Sequence, residues 1–221
     1  MKAVIFDLDG TLSDTIDSIK YCGDRAVAPL GFGPFTEEQY KYFVGEGVCN
    51  LIRRMLVTAG DADDKHPKGV HFEEVLKRYK AYFAEDCMYQ VKPYDGIAEL
   101  LAELKRKGFK LCVLSNKPHE ETENVIHTLF GENVFDVVQG QMHGIPIKPN
   151  PSAALRIAEG LAIAPEDIVY LGDTATDMQT GKAAGFFTVG VLWGFRTREE
   201  LEENHADVVI AHPMELLSVL G

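Results

Sequence analysis

Ala3-Val4-Ile5-Phe6-Asp7-Leu8-Asp9-Gly10-Thr11-Leu12 is the stretch on which the reading of this 221-residue chain turns. Ala3 to Phe6 is a short unbroken apolar run, the pattern of a strand covered on both faces. Two aspartates follow at once, which puts both carboxylates at the carboxyl edge of the sheet the run belongs to. Gly10 lets the backbone turn sharply after them, with nearby amides able to face an anion. Carboxylates this close repel unless a cation neutralises them. The pair therefore asks for a hard divalent metal such as magnesium.

Working outward, similar apolar runs recur at Leu111 to Leu114, Phe135 to Val138, Ile168 to Leu171, Thr188 to Leu192 and Asp207 to Ile210. Helical stripes separate most of them. Ile97, Leu100, Leu101 and Leu104 repeat at helical spacing behind an expected N-cap at Asp95, and Lys105 to Lys107 with Gly108 close that helix. Val125, Ile126 and Leu129 form a second stripe, and Ala154, Ile157 and Ala158 a weaker third. Strand and helix in alternation predict an α/β fold, a parallel sheet flanked by helices.

The segment from Thr15 to about Met88 breaks this rhythm. It carries helical stripes (Val48, Leu51, Ile52, Met55, Leu56, then Phe72, Val75, Leu76, Tyr79, Phe83) and no convincing strand. An all-helical block that leaves the sheet at the carboxyl end of its first strand reads as an insertion, placed where open parallel sheets bind ligands. The expected division is a core of residues 1–14 and 92–221 with an inserted helical cap over 15–91. Hinges would fall near Asp14 to Asp17 and Lys92 to Tyr94.

Composition narrows the function. Lys and Arg number 22 against 34 Asp and Glu, a formal charge of −12, which argues against nucleic acid as a partner. No apolar run approaches the length of a membrane span, and the run opening at Ala3 is too short for a signal peptide. The four cysteines, Cys22, Cys49, Cys87 and Cys112, are scattered among apolar neighbours, so buried thiols in a reducing cytoplasm are expected.

Two further strand ends and one helix start carry polar groups. They are Leu114-Ser115-Asn116, Ile147-Lys148-Pro149 before a helix start, and Leu171-Gly172-Asp173-Thr174-Ala175-Thr176-Asp177. With Asp7 to Thr11, these motifs resemble, in order and over essentially the whole chain, those of the haloacid dehalogenase superfamily. The resemblance implies a Rossmann-like core. It also implies that Asp7 is a nucleophile forming an aspartyl-phosphate and that Asp9 is the general acid and then base. Asp7, Asp173 and the backbone carbonyl of Asp9 would ligate Mg²⁺. Ser115 and Lys148 suit the phosphoryl oxygens, with Gly10, Thr11 and Asn116 as supporting phosphate-binding groups. Asp177 is expected to orient Lys148 or a metal-bound water. The presence of Asp9 argues for phosphoryl chemistry over dehalogenation.

Substrate choice would lie in the cap. Phe43-Val44-Gly45-Glu46-Gly47-Val48 is a glycine-rich turn entering a helix, and it resembles the cap loop of phosphoglycolate phosphatases. Arg53 or Arg54 could hold a substrate carboxylate, and Glu46 would face either the leaving group or solvent. The expected activity is hydrolysis of a small phosphorylated metabolite, phosphoglycolate first, by a monomer or homodimer. A sugar phosphomutase and a pyrophosphatase are the alternatives.

Overall fold

Six parallel strands, in the spatial order Val137–Gln141, Lys110–Pro118, Ala3–Phe6, Ile168–Gly172, Phe187–Val191 and Val208–Ile210, form the main sheet of the computed structural model, which describes residues 1–221. In chain order the elements begin β1 (Ala3–Phe6), β2 (Ser13–Asp14), α1 (Ile16–Val27), α2 (Glu37–Phe43), α3 (Val48–Thr58) and α4 (Phe72–Asp86). They continue with β3 (Lys92–Pro93), α5 (Ile97–Arg106), β4 (Lys110–Pro118), α6 (His119–Phe130), β5 (Val137–Gln141) and α7 (Ser152–Leu161). The chain ends through β6 (Ile168–Gly172), α8 (Ala175–Ala184), β7 (Phe187–Val191), α9 (Arg198–Glu203), β8 (Val208–Ile210) and α10 (Glu215–Leu220).

All four residues of β1 are buried, because it is a central strand covered on both faces. Ala3 and Ile5 pack with Cys112, Leu114, Ile157, Tyr170 and Phe186. Val4 and Phe6, by the alternation of a strand, face the other side. The register pairs Phe6 with Val113 on β4 and with Leu171 on β6. Those pairings bring the residues just beyond the ends of β1 and β6, Asp7 and Asp173, to one edge of the sheet beside the last turn of β4. The β4–β5 ladder slips between Leu114 and Pro118, so Ser115, Asn116 and Lys117 stand where regular pairing is interrupted.

The chain divides into two compact units, Met1–Asp14 with Lys92–Gly221, and Thr15–Val91. Within the second unit α1 packs on α2 and α4, and α3 on α2 and α4. Its core is built from Tyr40, Ile52, Met55, Leu56, Val75 and Phe83, all buried. A reciprocal cap opens α2, where Thr36 Oγ1 accepts from Gln39 N and Gln39 Oε1 accepts from Thr36 N.

Three local expectations are corrected, and one element is added. The N-cap of α5 is Gly96 at φ 84°, not Asp95. β5 runs over Val137–Gln141 and not from Phe135, because Asp136 is engaged at the strand entrance, its carboxylate accepting from Leu111 N at 2.9 Å. Cys49 is exposed on α3, whereas Cys22, Cys87 and Cys112 are buried. A two-stranded antiparallel ribbon, β2 with β3, lies where the chain passes from the first unit to the second and back.

Candidate active site

Asp7 continues β1 by one residue, its N–H donating to Leu171 O at 2.9 Å. Its Oδ1 accepts from Leu8 N at 2.7 Å and lies 2.8 Å from Lys148 Nζ. After Asp7 the chain closes a tight turn in which Thr11 N, Leu12 N and Ser13 N all donate to Leu8 O, while Gly10 N donates to Ser13 O. The turn needs φ 84° at Gly10, a region an L side chain rarely enters. These amides are therefore spent inside the turn and do not face an anion, which corrects the role expected of Gly10 and of the Thr11 backbone.

Thr11 and Gly10 serve Asp173 instead. Thr11 Oγ1 donates to Asp173 Oδ1 at 3.2 Å, and Phe195 N donates to Oδ2 at 2.8 Å. A Cβ on Gly10 would come within 2.2 Å of Asp173 Oδ2, and one on Gly194 within 2.3 Å of Asp173 Cβ. Two glycines thus leave room for this carboxylate, which is wholly buried. The loop carrying Gly194 and Phe195 is tied back to the first turn, since Trp193 Nε1 donates to Thr11 O at 2.9 Å. Trp193 therefore fastens the site, a role its position after β7 did not reveal.

Lys148 is the central cation. Its side chain is 2% exposed, with Nζ 2.8 Å from Asp7 Oδ1 and 2.7 Å from Asp177 Oδ1. Burial by itself lowers its pKa, but the Asp177 and Asp7 charges outweigh this and hold it well above the ordinary lysine value. Asn116 grips the lysine backbone on both sides. Its Oδ1 accepts from Lys148 N at 2.8 Å and its Nδ2 donates to Lys148 O at 3.0 Å. Asn116 is thus a clamp on the Lys148 backbone, a role that its place in the sequence did not show.

Asp177, in the first turn of α8, uses Oδ2 to accept from Thr174 N (3.1 Å) and Thr174 Oγ1 (2.8 Å), and Oδ1 for Lys148. It both caps its helix and holds the lysine. Ser115 is buried, and its Oγ accepts from Lys117 N at 3.2 Å, a bond that does not use the hydroxyl hydrogen.

Asp7, Asp173 and Asp177 bring carboxylate oxygens within 4.8 Å of one another. Set against one lysine, three carboxylates leave a deficit of two positive charges. Burial, then the Asp177 charge, pushes Asp7 up to about 7 against the pull of Lys148. Burial, then Asp177 and Asp7, lifts Asp173 well above the usual carboxylate range. Such a donor set fits a divalent cation, with Asp7 and Asp173 offering oxygens and Asp177 largely committed to Lys148 and Thr174.

Adding Mg²⁺ to chelator-treated protein should therefore raise its melting temperature. At a hundred times Kd the gain is about 2.7 kcal/mol, or roughly 5–11 °C for a chain of this size. The shift should be smaller at pH 6 than at pH 8, because protons compete for Asp7 below about pH 7. A melt indifferent to the cation at both pH values would remove it from this site.

Asp9 stands apart from that cluster, with its Oδ1 2.8 Å from Lys117 Nζ. Lys117 is the functional candidate that the sequence pattern did not single out.

The four residues expected to choose the substrate lie in the helical unit. Gly47 is the N-cap of α3 at φ 79°. Arg54 pairs with Glu46, donates to Tyr42 O at 3.0 Å and Phe43 O at 3.2 Å, and lies over the Tyr42 ring. Its guanidinium is thus engaged in bracing the glycine-rich turn, which corrects the expectation that it is available for a carboxylate. Arg53 donates its Nε to Asn50 Oδ1 at 3.3 Å.

A parallel sheet with two acids beyond its central strand, a buried lysine and a further acid after the neighbouring strand defines an α/β enzyme that works with carboxylates. Residues 4–191 match the model of the haloacid dehalogenase-like hydrolases. The chain belongs to that hydrolase family. It is 30% identical over 220 residues to the phosphoglycolate phosphatase of Aquifex aeolicus, covering 100% of this chain and 97% of that one. It is 31% identical to the N-acetylmuramic acid 6-phosphate phosphatase of Pseudomonas aeruginosa, covering 100% and 95%. A solved Lactobacillus delbrueckii subsp. bulgaricus chain, provisionally named a phosphoglycolate phosphatase, superposes with a TM-score of 0.91 at 30% identity, covering 99% and 98%.

Proposed function

We propose that this enzyme is a Mg²⁺-dependent phosphatase that hydrolyses a small phosphate monoester, with phosphoglycolate as its first substrate. The observation that carries the reading is the pairing of Asp7 with a buried Lys148, in a cluster whose carboxylates outnumber its cation. The names of the relatives support the same activity.

In this reading an Asp7 carboxylate oxygen attacks phosphorus and the ester P–O bond breaks, leaving an aspartyl-phosphate. Asp9 gives its proton to the departing alkoxide. It then takes one from the water that attacks the phosphorus, which releases phosphate and restores Asp7. Lys148 and the Ser115 hydroxyl hold the phosphoryl oxygens, and Asp177 keeps Lys148 in place. Bound Mg²⁺, held by Asp7, Asp173 and the Asp9 carbonyl, would offset the repulsion between an anionic nucleophile and an anionic ester.

The unit Thr15–Val91 acts as a cap that selects the leaving group and closes over it. Glu46, Gly47 and Arg53 are its specificity candidates. No helix is long and apolar enough to cross a membrane. A cytoplasmic enzyme accords with four free cysteines, and it is proposed to act as a monomer or homodimer.

A panel of esters compared by kcat/KM tests the reading. It should contain phosphoglycolate, N-acetylmuramic acid 6-phosphate (after the Pseudomonas relative), an aryl phosphate, β-glucose 1-phosphate and pyrophosphate. Phosphate release with Mg²⁺, lost on chelation and highest for phosphoglycolate, is the expected pattern. No release from any ester, or transfer of phosphate to a second sugar hydroxyl, would overturn the activity. Preference for another ester would overturn the substrate alone.

A further inference from the structure

The geometry points to Lys117 as the residue that positions Asp9 for proton transfer, an inference that rests on the role given to Asp9 above. Lys117 Nζ lies 2.8 Å from Asp9 Oδ1, and its side chain is only 2% exposed against 13% for Asp9. An ammonium is not buried to that degree without an acceptor to meet it, because its hydration is costly to remove, and Asp9 Oδ1 supplies that acceptor while Oδ2 is left to carry the proton. Solubility therefore does not explain this lysine, whose long flexible stem is ordered with its ammonium at the Asp9 carboxylate.

The backbone that launches it is also fixed. Lys117 N donates to Ser115 Oγ at 3.2 Å, and Lys117 O accepts from Thr122 Oγ1 at 3.2 Å. Across the slipped β4–β5 ladder, Gly140 leaves space for that carbonyl, since a Cβ there would come within 2.6 Å of it. The hydroxyl read as a phosphate ligand thus shares one short segment, Ser115 to Lys117, with the ammonium that grips Asp9.

The consequence for Asp9 is geometric. The Asp9 side chain has two rotatable bonds and stands outside the cluster of three carboxylates. Holding Oδ1 at Lys117 fixes both torsions and so fixes where Oδ2 is presented. Proton transfer needs the acid within hydrogen-bond reach of the ester oxygen, and a displacement of about 1 Å is costly in rate. Lys117 touches neither the ester nor the reacting phosphorus in this scheme. It acts through Asp9.

The experiment compares wild type, K117M, K117R, D9N and the double variant D9N/K117M on two esters. One is an aryl phosphate such as p-nitrophenyl phosphate, whose leaving group departs without a proton. The other is phosphoglycolate, whose alkoxide needs one. The readout is kcat/KM, which reports the step in which the leaving group departs.

K117M should lose about 100-fold on phosphoglycolate, the scale of general acid catalysis, and under about 10-fold on the aryl ester. K117R, which restores a cation, should recover at least part of the loss. D9N/K117M should be no slower than D9N on phosphoglycolate, because the lysine works through the aspartate. Equal losses on the two esters, additive losses in the double variant, or no loss in K117M would each overturn the inference. If K117M does not fold, K117R alone decides. A leaving-group-dependent loss supports the positioning role, and a loss shared by both esters refutes it. Wild-type protein that releases phosphate from neither ester would instead sink the phosphatase reading itself.

Discussion

Asp7→Asn should reduce turnover by at least about 10⁴-fold, the scale seen when a nucleophile is removed from a catalytic unit. An amide cannot displace the ester oxygen to form an acyl-phosphate, so no residual covalent route exists. The loss should come with almost no cost in stability. Burial and the Asp177 charge raise the Asp7 carboxyl to about 7, which brings its neutral form within reach, and an amide of the same shape resembles that form. Leu8 N can still donate to the side-chain oxygen, and Lys148 keeps its partner at Asp177. Two measurements settle the matter. Acid-quenched enzyme incubated with labelled ester should carry phosphate in the wild type and none in D7N, and the melting temperatures should agree within a few degrees. More than about 1% residual activity in a D7N preparation free of wild type would remove Asp7 from the nucleophile's place.

How much of the fold and site is legible in the sequence depends on how far each signal reaches along the chain. The strand Ala3–Phe6 and the acids after it were legible because burial on both faces leaves an unbroken apolar run, and the polar groups begin where the run ends. The positions of Asp173 and Ser115 followed by the same rule. The partners of those residues were not legible, because they are set by strand order. Lys117 reaches Asp9 across 108 residues only because β4 lies directly beside β1. In sequence it is one more lysine. The sequence likewise gives no sign that the Asn116 amide satisfies the backbone of Lys148 from 32 residues away. The Gly10 turn differs in the opposite sense, since a glycine after two acids suggests amides turned outward, whereas a chain this tightly closed uses them on Leu8 O and Ser13 O. The ribbon of β2 and β3 escaped notice because two residues per strand carry no periodicity.

Removing the charge of Lys148 should have the opposite character to removing that of Asp7. Lys148→Met keeps the length of the side chain in a buried site but leaves Asp7 and Asp177 without their shared ammonium. Breaking a buried ion pair from one side costs about 3–5 kcal/mol, because the remaining charge is left desolvated. For a chain of this size that is roughly 6–20 °C in melting temperature. Activity should fall as well, since the same ammonium is read as a ligand of the phosphoryl oxygens, but stability is the sharper test.

Its pH dependence has a definite sign. In the wild type Lys148 pulls the Asp7 carboxyl down towards about 7, against burial and Asp177. Without that pull Asp7 rises further, and a carboxyl whose folded value exceeds its unfolded one binds more protons in the folded state between the two. The deficit of K148M should therefore be largest at pH 8 and shrink as pH falls towards the ordinary carboxylate range. Mg²⁺ should narrow the gap at pH 8 by supplying positive charge to the same oxygens. Thermal melts of both proteins at pH 5.5 and pH 8, with and without the cation, separate the possibilities. A deficit independent of pH would mean that the lysine contributes packing alone, and the electrostatic account of the site would fail with it.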